Sequence, residues 1–198
     1  NKNIKDIPEE KILNKLCNDM VRRGPDNRGV WISKNRNVGL GHNRLSIIDL
    51  NQRSNQPMHS KNNNYVISFN GEIYNFKELK AFLYKFKFKF NTKSDTEVIL
   101  KLYELKGPKM LNMLRGMFSI AIWDQKKEIF FLARDPYGIK PLYIGKLKEG
   151  FIFSSQVKPI LNTKLITKEI NYEGILSFFL FGNVIEPNTC FKNIINLK

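Results

Sequence analysis

Two apolar runs, residues 117–123 and 129–133, are separated only by a polar segment at 124–127, and they constrain the fold more than any other feature of this sequence. Runs this short and this uniformly apolar read as strands covered on both faces, with the polar residues between them as the turn of a hairpin. The rest of the chain must supply the covering layers. Its elements come as antiparallel hairpins and helices in separate runs, which predicts helices packed on sheets rather than a nucleotide-binding parallel sheet. No glycine-rich phosphate loop is present. With 198 residues and 42% hydrophobic content, one domain with a sizeable core is expected.

Helical spacing appears in four places. After Pro8-Glu9-Glu10, apolar residues recur at Ile12, Leu13, Leu16, Cys17, Met20 and Val21, and Arg22-Arg23-Gly24 ends the run. Similar spacing marks 76–86, 98–105 behind a Ser94 or Asp95 cap with Glu97 as capping-box partner, and 171–181. Gly107-Pro108 breaks the third helix, and a shorter one follows to Arg115-Gly116. Strands are expected at 30–32, 38–42 and 65–69, with a further hairpin pairing 141–146 with 151–155 around Glu149-Gly150. Residues 51–64 read as a polar loop.

Chemistry is expected where the strand 65–69 breaks into Asn70-Gly71-Glu72-Ile73-Tyr74-Asn75 and runs into a helix. Asn70 offers an amide donor, and Gly71 lets the backbone approach a ligand without a Cβ in the way. Held together they can make an oxyanion hole. An isolated Asn-Gly pair is also a plain turn signal. Arg44, at the head of an apolar run, suits a bidentate carboxylate clamp or an internal ion pair with Asp49. Asp95 at a helix start serves as a cap or receives an ammonium.

Composition narrows the function. The 33 basic and 18 acidic residues leave +15, but the lysines stand singly, as at 77, 80, 85, 87 and 89, which suits a solvated surface rather than nucleic-acid binding. No run approaches the roughly 18 apolar residues of a membrane span, so a soluble protein without a membrane partner is expected. Two cysteines are too few for a disulfide framework, which fits a reducing, cytoplasmic setting. Cys17 lies on an apolar helix face and reads as a buried structural thiol. His42 and His59 lack metal-ligand spacing, so no metal is expected, and a Ser46, His42, Asp49 triad lacks a glycine-flanked nucleophile elbow.

Seven ordered blocks carry a resemblance. They are Arg23-Gly24-Pro25-Asp26, Gly41-His42-Asn43-Arg44-Leu45-Ser46-Ile47-Ile48-Asp49, Gln56-Pro57-Met58, Phe69-Asn70-Gly71-Glu72-Ile73-Tyr74-Asn75, Ser94-Asp95-Thr96-Glu97-Val98-Ile99-Leu100, Leu114-Arg115-Gly116-Met117-Phe118 and the run from Arg134-Asp135-Pro136-Tyr137-Gly138 through Ile139-Lys140-Pro141-Leu142-Tyr143. Together they closely resemble the glutaminase (class II glutamine amidotransferase) domain of glutamine-hydrolysing asparagine synthetase.

The resemblance implies an α+β fold, the four-layer α/β/β/α sandwich of the N-terminal-nucleophile hydrolases, with two antiparallel sheets between helix layers over residues 1–198. It implies L-glutamine as substrate. Asn70 and the Gly71 N–H would be the oxyanion hole, Arg44 the α-carboxylate clamp, Glu72 and Asp95 the α-ammonium acceptors, and the backbone around Leu45 and Ile47 the pocket wall. This domain would need no cofactor, while ATP and Mg would serve a C-terminal synthetase domain that amidates aspartate. A homodimer is left open.

In that family the nucleophile is a cysteine at the mature N-terminus, followed by Gly and a short strand. This sequence starts at Asn1 instead, and is expected to lack that strand and the synthetase domain and to be inactive as it stands. Arg22 and Gln156 stand where the family usually has His and Glu. The alternatives are a related amidotransferase for sugar or secondary-metabolite synthesis, or a non-catalytic docking homologue.

Overall fold

A computed structural model describes residues 9–198; Pro8, expected at the opening of the first helix, lies outside them. At the centre is a four-stranded antiparallel sheet in the order β3 (Met58–His59), β4 (Tyr65–Ile73), β5 (Gly116–Asp124) and β6 (Ile129–Arg134). The pair β5–β6 is the expected hairpin, and Asp124 closes its turn by accepting from the N–H of Lys126 at 3.0 Å and of Lys127 at 3.1 Å.

One face of this sheet is covered by α2 (Phe76–Lys85) and α3 (Asp95–Lys106), with Ile67, Phe69, Ile120, Leu79, Leu83 and Ile99 in the shared core. Full burial of such a side chain contributes about 1.5–3 kcal/mol. Ser94 caps α3 as expected, accepting from Thr96 N–H at 3.1 Å. The capping box does not form. Thr92 Oγ1 already takes the Ser94 N–H, and Glu97 turns instead to the Asn91 and Thr92 amides and the Thr92 hydroxyl, four contacts of 2.7–3.1 Å.

The opposite face meets a second strand layer. It consists of the hairpin β1 (Asn27–Ile32) and β2 (Gly39–Arg44), and a three-stranded sheet in the order β8 (Phe151–Ser154), β7 (Tyr143–Lys146), β9 (Ile194–Asn196). Leu40, Val66 and Ala121 pack between the layers with Trp31, Phe130 and Phe153. Behind the second layer lie α1 (Glu10–Asp19) and α4 (Val157–Asn162), through Leu13, Leu16, Ile152, Ile160 and Ile194. The result is the expected order of helix, sheet, sheet, helix.

Three further features differ from the sequence expectation. The second layer is split: among the described residues β2 pairs with β1 and β8 with β7, and the other edges of β2 and β8 stay unpaired. The strand β4 does not stop at Phe69 but runs to Ile73, because its ladder with β5 continues through Asn70↔Ser119 and Glu72↔Met117. The polar stretch 51–64 is not plain loop, since it holds a 3-10 turn at Gln52–Ser54 and the short β3. Beyond these layers, α5 (Tyr172–Phe181) matches the fourth helical run.

Candidate functional site

The layers part to enclose a cleft of about 1340 Å³ between β4–β5 and the split layer, walled on the far side by α1. Alternation along β4 puts Ser68, Asn70 and Glu72 on one face, and all three line the cleft. Among the described residues the Asn70 amide and the Glu72 carboxylate form no hydrogen bond.

The backbone of β4 sets up a further donor. Phe69 N–H donates to Gln56 Oε1 at 2.7 Å and Ile73 N–H to Asp95 Oδ2 at 3.1 Å, so both point out of the ladder rather than toward β5. By the same alternation the N–H of Gly71, midway between them, points to that open edge. It has no partner among the described residues. Gly71 sits at φ +155°, and a Cβ there would stand 2.1 Å from the Met117 carbonyl oxygen. Only glycine lets β4 lie this close to β5. The Asn-Gly pair is therefore a strand crossing point, not the turn that the sequence suggested.

Two carboxylates flank this donor pair. Asp95, the first residue of α3, is buried, and burial pushes its pKa up; the nearby Glu72 charge adds to the rise, against the hydrogen bonds from Ile73 and the α3 amides. A cation between the two acids would relieve both effects.

Arg44 ends β2 and is buried. Its Nη1 donates to Asn51 O at 3.0 Å and Asn55 Oδ1 at 2.8 Å, and its Nη2 donates to the Asp49 backbone carbonyl. The ion pair with Asp49 does not form. The Asp49 carboxylate is engaged elsewhere, by Lys93 N–H at 2.8 Å, Asn51 N–H at 3.0 Å and Ser54 Oγ at 2.8 Å, with Arg53 Nε at 3.9 Å. Led by the Lys93 amide, these donors hold its pKa down to about 2. A guanidinium has five donor hydrogens. The loop at 49–55 uses three of Arg44's, leaving Nε–H and one Nη2–H. Leu45 and Ile47, both exposed, form the rim next to it.

The paper triad is not assembled either. His42 Nδ1 meets Ser68 Oγ at 3.2 Å, while Asp49 is spent on Ser54 and backbone amides and Ser46 N–H donates to Asp26 Oδ2 at 2.7 Å. Cys17 is the buried thiol expected, and burial pushes its pKa up. Sequence reasoning gave no role to Ser68 or Gln56. Ser68 could have been found from its period-two spacing to Asn70 and Glu72; Gln56 stands in one of the seven blocks, but nothing in the sequence points to its bond with the Phe69 amide.

The four-layer α/β/β/α sandwich is a fold of the N-terminal-nucleophile hydrolase type. The solved glutamine phosphoribosylpyrophosphate amidotransferase from B. subtilis shares the fold, with a TM-score of 0.67 at 22% identity over 81% of this chain and 42% of that one. Within that class, the chain belongs to the glutamine amidotransferase domain family, whose model matches residues 3–198. It is 38% identical to a putative glutamine-hydrolysing asparagine synthetase of Methanocaldococcus jannaschii over 98% of its length, and 42% identical to asparagine synthetase 2 of Bacillus subtilis over 94%. The chain spans 40% and 25% of these two relatives.

Proposed function

We propose that this domain binds L-glutamine in the cleft and supplies its amide nitrogen as ammonia to a synthetase unit that uses ATP and Mg to convert aspartate to asparagine. The free Gly71 N–H beside the unpartnered Asn70 amide carries the reading. Two donors on one strand edge, with no other task among the described residues, suit the oxyanion that forms when a thiol attacks the glutamine side-chain amide. The two open N–H groups of Arg44 take the α-carboxylate, and Glu72 and Asp95 share the α-ammonium. The Leu45–Ile47 rim closes over the aliphatic part.

In the balanced step the thiol sulfur bonds to the amide carbon and the C–N bond breaks. The α-amine of the N-terminal cysteine passes the thiol proton to the departing nitrogen, and water then hydrolyses the thioester to glutamate. That cysteine, implied by the family resemblance, is neither Cys17 nor Cys190. The edges of β2 and β8 away from their partners are unpaired among the described residues, residues of both strands line the cleft, and the short strand that carries it would lie there. A cytoplasmic setting belongs to the same proposal; no helix among the described residues is long and apolar enough to cross a membrane.

The test uses the 198-residue chain and a form that begins with a Cys-Gly strand. The chain itself should bind L-glutamine without releasing ammonia, and the extended form should release it. In the extended form Asn70→Ala should lower kcat by roughly 10²–10³ with KM nearly unchanged. Full activity in Asn70→Ala, or an effect on KM alone, would overturn the assignment.

A further inference from the structure

The helix α5 is apolar nearly all round, yet none of its side chains joins the three apolar clusters of the fold. Phe179 is 79% exposed, and Tyr172, Leu176, Phe178, Leu180 and Phe181 also stand in solvent. No charged residue occurs from 174 to 185 in a chain that is 26% charged. A helix of this character is normally buried against something.

Its own segment holds it in place. Asn171 Nδ2 donates to Thr189 O at 3.0 Å, and Ile185 N–H donates to Ser177 Oγ at 3.2 Å. Gly174 lies so close to Thr189 that a Cβ would stand 2.3 Å from its carbonyl oxygen. The exposed face also reaches toward the cleft. Arg134 donates from Nη1 to Glu186 Oε1 at 2.9 Å, just past α5, and from Nη2 to Gly138 O, in the loop whose tip presents Tyr137 at 88% exposure. The next residue of that loop, Ile139, lines the cleft.

We propose that α5 and the 137–139 tip form the docking surface for the synthetase unit that receives the product of the cleft, an inference that rests on the function proposed above. The relatives carry far more chain than this domain matches, since the match spans 40% and 25% of their lengths. The uncharged stretch 174–185, tied to the cleft-rim loop through the Arg134–Glu186 pair, suits a partner that accepts a small neutral product. Aromatic side chains bury about 150–250 Å² each, so those on α5 supply much of the roughly 800 Å² per partner of a stable interface. A membrane fits less well, because helices that lie in membranes carry basic residues on the polar face, and α5 has none. A second copy would bring another chain of +15 charge against the first.

The test replaces the matching quarter of the B. subtilis asparagine synthetase 2 with this chain and compares amide exchange in the fusion and in the free chain. The tether holds the surfaces at millimolar effective concentration, so even weak docking registers. Exchange across 172–185 should slow about tenfold or more on fusion, and Phe179→Lys should reverse this while leaving the free chain folded. Unchanged exchange on fusion overturns the proposal. So does a dimer of the free chain that Phe179→Lys dissociates, or binding of the free chain to phosphatidylserine vesicles that Phe179→Lys abolishes. Glutamine binding is read separately from the Asn70 side-chain amide resonance: its loss with α5 still protected refutes the function and not the docking.

Discussion

His42 Nδ1 lies 3.2 Å from Ser68 Oγ, and this contact joins the strand that carries Arg44 to the strand that carries Asn70. Ser68 Oγ also reaches Gly41 O at 3.4 Å, and when its hydroxyl donates there the imidazole donates to Ser68 from Nδ1. Burial, helped by the Arg44 charge, lowers the His42 pKa to about 4. The ring is therefore neutral at neutral pH.

Stability should fall as acid is added. The folded pKa of His42 is about 4, below its ordinary 6.5, so the unfolded chain takes up this proton first. The contribution is complete above pH 6.5 and is lost as the pH falls through 6.5 toward 4, by up to roughly 3 kcal/mol. Denaturant melts at a series of pH values should show the slope, and His42→Asn should flatten it. A slope that persists in His42→Asn would assign it to another group.

Gly71→Ala should be among the most costly small substitutions in the protein. Its Cβ would sit 2.1 Å from Met117 O, backbone that cannot yield without parting β4 from β5, whereas a Cβ on Gly150 at φ +89° meets nothing within 4 Å. Gly150→Ala should cost about 1 kcal/mol from its backbone angle alone, and Gly71→Ala about 3 kcal/mol or more. Comparable losses for the two would contradict the close strand approach.

Asp49→Ala should loosen the loop that engages Arg44. Three donors lose their acceptor, at an expected cost of about 2–4 kcal/mol, and glutamine affinity should drop because the guanidinium is no longer held. The depressed Asp49 carboxylate adds a second pH window: its stabilisation is present above the ordinary pKa of 3.8 and is lost as the pH falls through about 2. Asp49→Asn at neutral pH should lie between wild type and alanine. An Asp49→Ala chain with unchanged melting and unchanged glutamine binding would remove the loop from the argument.

Arg44→Ala is expected to do two things where the sequence suggested one. In the form that begins with a Cys-Gly strand, loss of a clamp raises KM with some loss of kcat from poorer orientation. Loss of its bonds to Asp49, Asn51 and Asn55 also destabilises the fold, so melting and KM should move together. If melting alone moves, Arg44 is a loop anchor and not a clamp.

Glu72→Gln should shift its neighbour. Removing the Glu72 charge lowers the Asp95 pKa, because like-charge repulsion is one of the causes that raise it. A carbon-detected titration of the Asp95 carboxyl reads this, and glutamine should bind more weakly in the same variant. An unmoved Asp95 would place the two acids too far apart to share an ammonium.

Much of this was legible before any coordinates. The β5–β6 hairpin, the Ser94 cap and the helical runs follow from periodicity, because apolar spacing and caps act over a few residues. What escaped depends on distant partners. Asn70-Gly71 reads as a turn until the ladder with Met117 and Ser119 is known to hold it extended. Glu97 has capping-box spacing, yet Thr92 already occupies the amide it would serve. The Pro159 in α4 argues against a helix, but it sits in the first turn, where no amide is needed. Arg44 reads as needing an anionic partner, yet the oxygens it meets among the described residues are neutral ones of the loop. Which ones it finds is decided by the fold of the loop at 49–55.

The split second layer has a practical corollary. On the function proposed above, an extended peptide with cysteine at its head would find two free ladders here, one on β2 and one on β8. The attacking atom would then be a reagent: turnover would be dosed by peptide concentration, and unnatural thiols or selenols could be exchanged at the reacting position.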